Sequence, residues 1–225
     1  MEPSPSCLPP AWGDAAGVLA AAVCWRAAYL EAGFHVRRRR PALDWPGAAS
    51  RAASTAHALL SVLAAALAPD FCGAWGAALR LASAGYLVHD AHLVATTPSL
   101  KDPGMLAHHA FYACLVFFGL GLAPRAVVAR ALWAEAPVPF LNLGWLLVRG
   151  GGRARAPRLF AANSAAVLGL FLATRLWPFA WLAAAFAGRR AWISGLFAGL
   201  FALNAFWFAK LCRLAGAALR PPPGG

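Results

Sequence analysis

The sequence predicts an all-α integral membrane protein, a multi-pass bundle of about seven transmembrane helices. Three observations carry that prediction. Apolar runs of about 20 residues, long enough to cross a bilayer, recur along nearly the whole 225-residue chain. The composition is 61% hydrophobic and only 12% charged, far from the balance of soluble domains. Basic residues gather in the short connections between the apolar runs, where positive charge orients a membrane protein.

That distribution also argues against a nucleic-acid partner. A net charge of +12 would suit one, but the basic residues form no stripe on a folded face. Five cysteines (Cys7, Cys24, Cys72, Cys114 and Cys212) are scattered without a C-x-x-C pair, so neither a disulfide framework nor a zinc site is expected.

The segments follow in order. Residues 1–14 form a short polar N-terminal segment. Ala15 to Phe34 is the first transmembrane helix. No basic stretch precedes it and Arg37 to Arg40 follow it, which predicts a retained helix and not a cleaved signal peptide. The second segment spans Ser54 to Ala68 and stops at Pro69-Asp70. The third covers Trp75 to Ala95 and leads into a polar loop with Pro98, Lys101, Asp102 and Pro103.

The fourth runs from Met105 to Leu122. The fifth, Ala126 to Val148, contains Pro137 and Pro139, which remove backbone donors and predict a break or kink. The sixth is Leu159 to Ala183, with Arg175 inside it and Pro178 near its end, and the seventh is Ala191 to Leu211. The Pro/Gly-rich tail, 216–225, is expected to be disordered. If the fifth segment spans, Arg37 to Arg40, Arg51, Lys101, Arg149, Arg153, Arg155, Arg158, Lys210, Arg213 and Arg220 share one side. Seven crossings, with the N-terminus outside and the C-terminus in the cytosol, satisfy the positive-inside bias best.

Ionisable groups inside apolar segments are costly and face the bundle interior, so they mark the place to look for function. The richest set is His89, Asp90 and His92 near the end of the third segment, with His108 and His109 early in the fourth. The connecting loop is short, so the two helices are expected to be antiparallel neighbours that bring all five residues to a similar depth. Three chemistries fit them. A histidine is a general base or acyl carrier oriented by Asp90; or the histidines bind a metal; or they cap helix ends and hydrogen-bond across the hairpin. With six histidines in the chain, the ligand count falls short of the membrane di-iron enzymes, and no metal is expected.

Glu135 precedes Pro137 and Pro139, and a broken helix that lines a cavity can hold a buried carboxylate. Arg175 is its natural ion-pair partner, or that of Asp90. Asn142, Asn163 and Asn204 read as interhelical hydrogen-bond donors and acceptors.

Several motifs then resemble the TLC-domain family. They are Arg51-Ala-Ala-Ser54-Thr55-Ala-His57, Gly85-Tyr86-Leu87-Val88-His89-Asp90, Met105-Leu-Ala-His108-His109, Glu135-Ala-Pro137-Val-Pro139-Phe140-Leu-Asn142 and Leu203-Asn204-Ala-Phe206-Trp207-Phe208. In the family's order and spacing they cover residues 45–215, which makes that stretch a TLC-like domain of about six transmembrane helices. The family includes ceramide synthases, translocating-chain-associated membrane proteins and small TLC domain-containing proteins linked to membrane lipid composition, and the chain is most similar to the last group. The resemblance implies a protein of membrane lipid homeostasis that binds or senses lipid in an intramembrane cavity, through His89, His92, Glu135, Asn142 and Arg175.

In ceramide synthases a paired histidine is required for transfer of an acyl group from acyl-CoA to a sphingoid base, and His108-His109 match that pair. The alternative implied is therefore an N-acyltransferase with His108, His109 and Asp90 as catalytic residues and acyl-CoA as co-substrate, without a bound cofactor. Where ceramide synthases carry a later His-Asp-containing acidic cluster, this sequence has Glu135 and prolines. A third implication is a chaperone-like adaptor. Membrane lipids are the expected partners, alongside a homo-oligomer or a membrane-protein partner. The resemblance favours the endoplasmic reticulum, with the plasma membrane as the alternative.

Overall fold

The structure, a computed structural model, describes residues 15–67, 73–114, 132–188 and 190–219, and every regular element among them is helical. The expectations for residues 1–14, for the Pro69-Asp70 stop, for the 115–131 stretch within the fourth and fifth segments, and for tail residues 220–225 lie outside the described residues. The chain divides into two compact units, Met1–Glu135 and Ala136–Gly225.

In the first unit, α1 (Ala15–Arg39) continues past Phe34. Arg37, Arg38 and Arg39 occupy its last turn, where cations meet the negative end of the helix dipole. Helix α2 (Trp45–Leu67) starts well before Ser54, because hydropathy marks only its apolar part. Pro46 is accommodated in the first turn, where no helical donor is needed.

Helix α2 is inside out relative to a soluble helix. Ala49, Ala53, His57, Ser61 and Ala64 recur at the spacing of one helical face and are buried, while Leu59, Leu60, Leu63 and Leu67 are exposed. Leucine outward with His and Ser inward is the arrangement that a hydrocarbon solvent favours.

Helix α3 (Gly73–Thr96) pairs most extensively with α1. Gly85 permits the close approach: a Cβ there would lie 2.5 Å from the Cβ of Ala21 and 2.7 Å from the backbone nitrogen of Ala22. After α3 a 3-10 turn, Pro98–Leu100, leads to α4 (Pro103–Cys114). Asp102 caps α4, its Oδ1 accepting from the backbone N–H groups of Gly104 (2.8 Å) and Met105 (3.2 Å), with Pro103 at the first helical position. The short, capped connection lets α4 pack back on α3.

In the second unit the proline pair does break the chain. Residues Ala134–Pro137 form a turn, and α5 (Val138–Arg149) begins after it. Twelve residues make α5 about 18 Å long, shorter than a hydrocarbon core of about 30 Å. A short helix, α6 (Gly152–Arg155), follows Gly151, whose φ of 68° suits glycine.

Helix α7 (Pro157–Phe171) then runs through a π turn, Leu172–Leu176, into α8 (Trp177–Phe186). The Trp177 N–H donates to the Leu172 carbonyl, and the Thr174 hydroxyl donates to the Leu170 carbonyl at 2.8 Å. Pro178, just beyond, has no N–H to return to the turn. Helix α9 (Ala191–Leu219) packs against α8, joined by the Ser194 hydroxyl donating to the Ala183 carbonyl at 2.7 Å and by Phe197 stacking on Phe179. It extends beyond Leu211, so residues 216–219 of the expected tail are helical.

Among the described residues, three stretches are both long and apolar enough to cross a membrane: Ala15–Arg39, Pro157–Phe186 and Ala191–Gly216. With the outward leucines of α2, they make this an all-α membrane protein.

Candidate functional site

Helices α3 and α4 bring the central pair together. Nε2 of His109 lies 2.9 Å from Oδ2 of Asp90, and both side chains are buried. His108 is buried beside them, its ring centroid 5.6 Å from that of His109 and 4.5 Å from that of Tyr112. Nδ1 of His109 is also buried and has no hydrogen-bond partner among the described residues. The carboxylate thus fixes the ring from one side and leaves the other nitrogen for a further group.

The remaining two histidines of the predicted set take different places. His89 is buried, with its ring 5.8 Å from that of Tyr29 on α1, and its Nε2 has no partner among the described residues. His92 is exposed. One step of about 100° per residue turns Asp90 toward α4 while His89 faces α1, so the five residues do not form one cluster.

Two residues that periodicity did not single out complete the site. Tyr86 is buried and hydrogen-bonds with both Ser54 and Asp90. His57, on α2, stacks on Tyr86 with centroids 4.0 Å apart and planes 10° apart. Its Nε2 lies 3.2 Å from the Ser83 hydroxyl and 3.3 Å from that of Ser61. Trp25 of α1 meets both rings edge-on and donates its indole N–H to the Ala82 carbonyl at 2.9 Å. Glu135 is buried within electrostatic reach of His57 and Tyr86. The polar core therefore runs from α2 through α3 to α4, and no single local motif spans it. A histidine and serine spaced four apart on an alanine-rich face, His57 and Ser61, is the signal that marks its α2 end.

The second unit holds the other predicted residues. Arg175 is buried at the π turn, its Nη1 donating to Oδ1 of Asn204 at 3.4 Å and its guanidinium 5.1 Å from the Phe171 ring centre. Asn204 in turn donates to the Leu200 carbonyl of its own helix. Asn163 bridges helices, donating to the Phe140 carbonyl of α5 at 3.0 Å. Asn142 is half-buried on α5. Among the described residues no group of three or more His, Cys, Asp or Glu side chains is placed to hold a metal ion.

Chemically, the first unit offers a carboxylate-oriented imidazole, a second imidazole and a phenol in a low-dielectric interior. Such a set can bind a polar headgroup or move a proton. No curated protein and no solved structure matches the chain. A family model described as the TLC domain matches residues 49–213 and so takes in α3, α4, the polar core and the second unit through most of α9. The TLC domain is a membrane domain tied to lipid metabolism or sensing. By that match and by its fold, the chain belongs to the TLC-domain family.

Proposed function

We propose that this protein binds or senses a membrane lipid through its polar headgroup, at the buried core around Asp90 and His109, and so acts in membrane lipid homeostasis. The observation that carries this reading is the Asp90–His109 contact of 2.9 Å, buried in a unit whose leucines face outward. A buried carboxylate–imidazole pair with an unspent ring nitrogen is costly to hold in hydrocarbon, and a polar ligand would offset that cost. Lipid that co-purifies with the protein in a mild detergent tests the reading. A species enriched over the bulk mixture in wild type, and depleted in Asp90→Asn and His109→Gln, supports it. Recovery of the bulk mixture alone counts against it.

A second reading has its own support in the free Nδ1 of His109. In an acyl-CoA-dependent N-acyltransferase, an amine nitrogen would attack the thioester carbonyl. His109 would take the amine proton, and the proton would pass to the departing thiolate as the amide forms. His108 would stand beside the reacting groups. Purified protein in liposomes, supplied with labelled long-chain acyl-CoA and a sphingoid base, separates the two readings. Amide product from wild type and none from His108→Ala/His109→Ala favours the enzyme; no product from folded wild type favours binding alone. The endoplasmic reticulum membrane belongs to this proposal as the site of action, and imaging of the full chain against organelle markers tests it.

A further inference from the structure

Helix α1 lies outside the matched residues 49–213, yet it supplies aromatic side chains to the polar core through Trp25 and Tyr29. Between them in sequence is Arg26, which is exposed. At 1.5 Å per residue it sits about 17 Å from the Ala15 end and about 20 Å from the Arg39 end, near the middle of an apolar helix. A cation there is costly without an anionic partner.

The neighbouring charges of α1 are already accounted for. Glu31 pairs with His35 at 2.8 Å, and Arg37 lies 4.3 Å from the Trp45 ring centre. Arg26 has only the Tyr29 ring, 5.2 Å from its guanidinium carbon, and no carboxylate within ion-pair distance among the described residues. His89, buried, meets the same ring at 5.8 Å between centroids, with Nε2 lacking a partner among the described residues and with Asp90 and Arg26 both within electrostatic reach. Asp90, next in sequence, is committed to His109 and Tyr86. An exposed cation and a buried imidazole thus meet one tyrosine at membrane depth, with Asp44 and Asp90 within electrostatic reach of the tyrosine and the imidazole but no carboxylate in ion-pair contact with Arg26 among the described residues.

We propose that Arg26, Tyr29 and His89 form an anion site opening sideways onto the lipid, which takes the anionic end of an acyl lipid, a carboxylate or a phosphate monoester. Arg26 binds the charge, His89 donates a hydrogen bond to it from within, and the Tyr29 ring holds the guanidinium in place. The site deepens the lipid-binding reading given above and rests on it, but uses different residues.

The test photolabels the full-length protein in phosphatidylcholine vesicles with three diazirine probes: a fatty acid, a phosphatidic acid and a fatty alcohol of equal chain length. Labelling of α1 or α3 by either anionic probe is expected to exceed that by the alcohol by about tenfold or more, as befits a charge-assisted contact. Which anionic probe labels better identifies the source of the charge. Arg26→Gln and His89→Gln should each abolish the excess, and Arg26→Lys should restore part of it.

Equal labelling by acid and alcohol, or labelling unchanged in Arg26→Gln, overturns the site. A stoichiometric protein crosslink to α1 that Arg26→Gln removes also overturns it, since Arg26 would then pair with a transmembrane carboxylate. Loss of co-purifying lipid in His109→Gln, with labelling unaffected by Arg26→Gln, would leave the Asp90–His109 reading standing while this site fell. The reverse pattern would keep this site and remove the other.

Discussion

His109 meets Asp90 across the α3–α4 connection at 2.9 Å, with both side chains buried. Removing one member of a buried carboxylate–imidazole pair leaves the other without its partner, at a cost of about 1–3 kcal/mol or more. Asp90→Asn and His109→Gln should therefore each lower the unfolding midpoint in detergent. The double variant should cost less than the sum, with a coupling of roughly 0.5–3 kcal/mol. Additive losses would show that the two residues do not depend on each other.

His92 provides the contrast. It is exposed on α3, so His92→Ala should change stability by no more than about 0.5 kcal/mol and leave lipid retention intact. A loss comparable to that of His109→Gln would place His92 in the site after all.

Gly85 is the point where α1 and α3 touch, and a methyl group there collides with Ala21 and Ala22. Gly85→Ala should destabilise by about 1–3 kcal/mol, as overpacking does. A cysteine pair placed across the α1–α3 seam would report the separation as slower disulfide formation. Unchanged stability and crosslinking would mean that the helices pack less tightly than this.

Asn163 ties α5 to α7 through the Phe140 carbonyl at 3.0 Å. Asn163→Leu should cost roughly 0.6 kcal/mol, the average for such bonds in membranes. It should also speed hydrogen exchange in α5, a helix too short to hold itself in place. Exchange confined to its wild-type rate would show that α5 is anchored by other contacts.

His57 should be the most sensitive position that local patterning passed over. It stacks on Tyr86 and contacts the hydroxyls of Ser61 and Ser83. His57→Phe keeps the stack and loses the hydrogen bonds, whereas His57→Ala loses both. Thermal melts should rank wild type above His57→Phe, and His57→Phe above His57→Ala, with the first step about 1–3 kcal/mol.

Much of this was legible because it is local or separated by a short loop. Asp90, His108 and His109 lie on helices joined by a few residues, so their meeting followed from the antiparallel return of the chain. The break at Pro137 followed from the chemistry of proline. His57 was harder to place, since it reaches Ser83 and Tyr86 only when α2 and α3 pack, and hydropathy averages conceal which face of α2 is polar. Arg26 was lost in the same averaging, because one charge barely lowers the mean of an apolar window. Helix ends exceeded the apolar runs at Arg39, Trp45 and Leu219, because a helix continues wherever its backbone bonds can be made.

The π turn at Leu172–Leu176 has a consequence for phase. Asn163, Val167, Phe171, Arg175 and Phe179 are all buried and stand four positions apart. In a regular α-helix each such step drifts by about 40°, so the series would wind away from its partner helix. The wider turn takes up one extra residue and sets the rotation back by about 100°, which returns Phe179 to the side of Phe171. Deleting Ala173 would remove the extra residue and leave Phe179 and Leu182 in their present phase, whereas regularising the turn at full length would swing both by about 100°. The irregular turn is what keeps this long helix in register with its core.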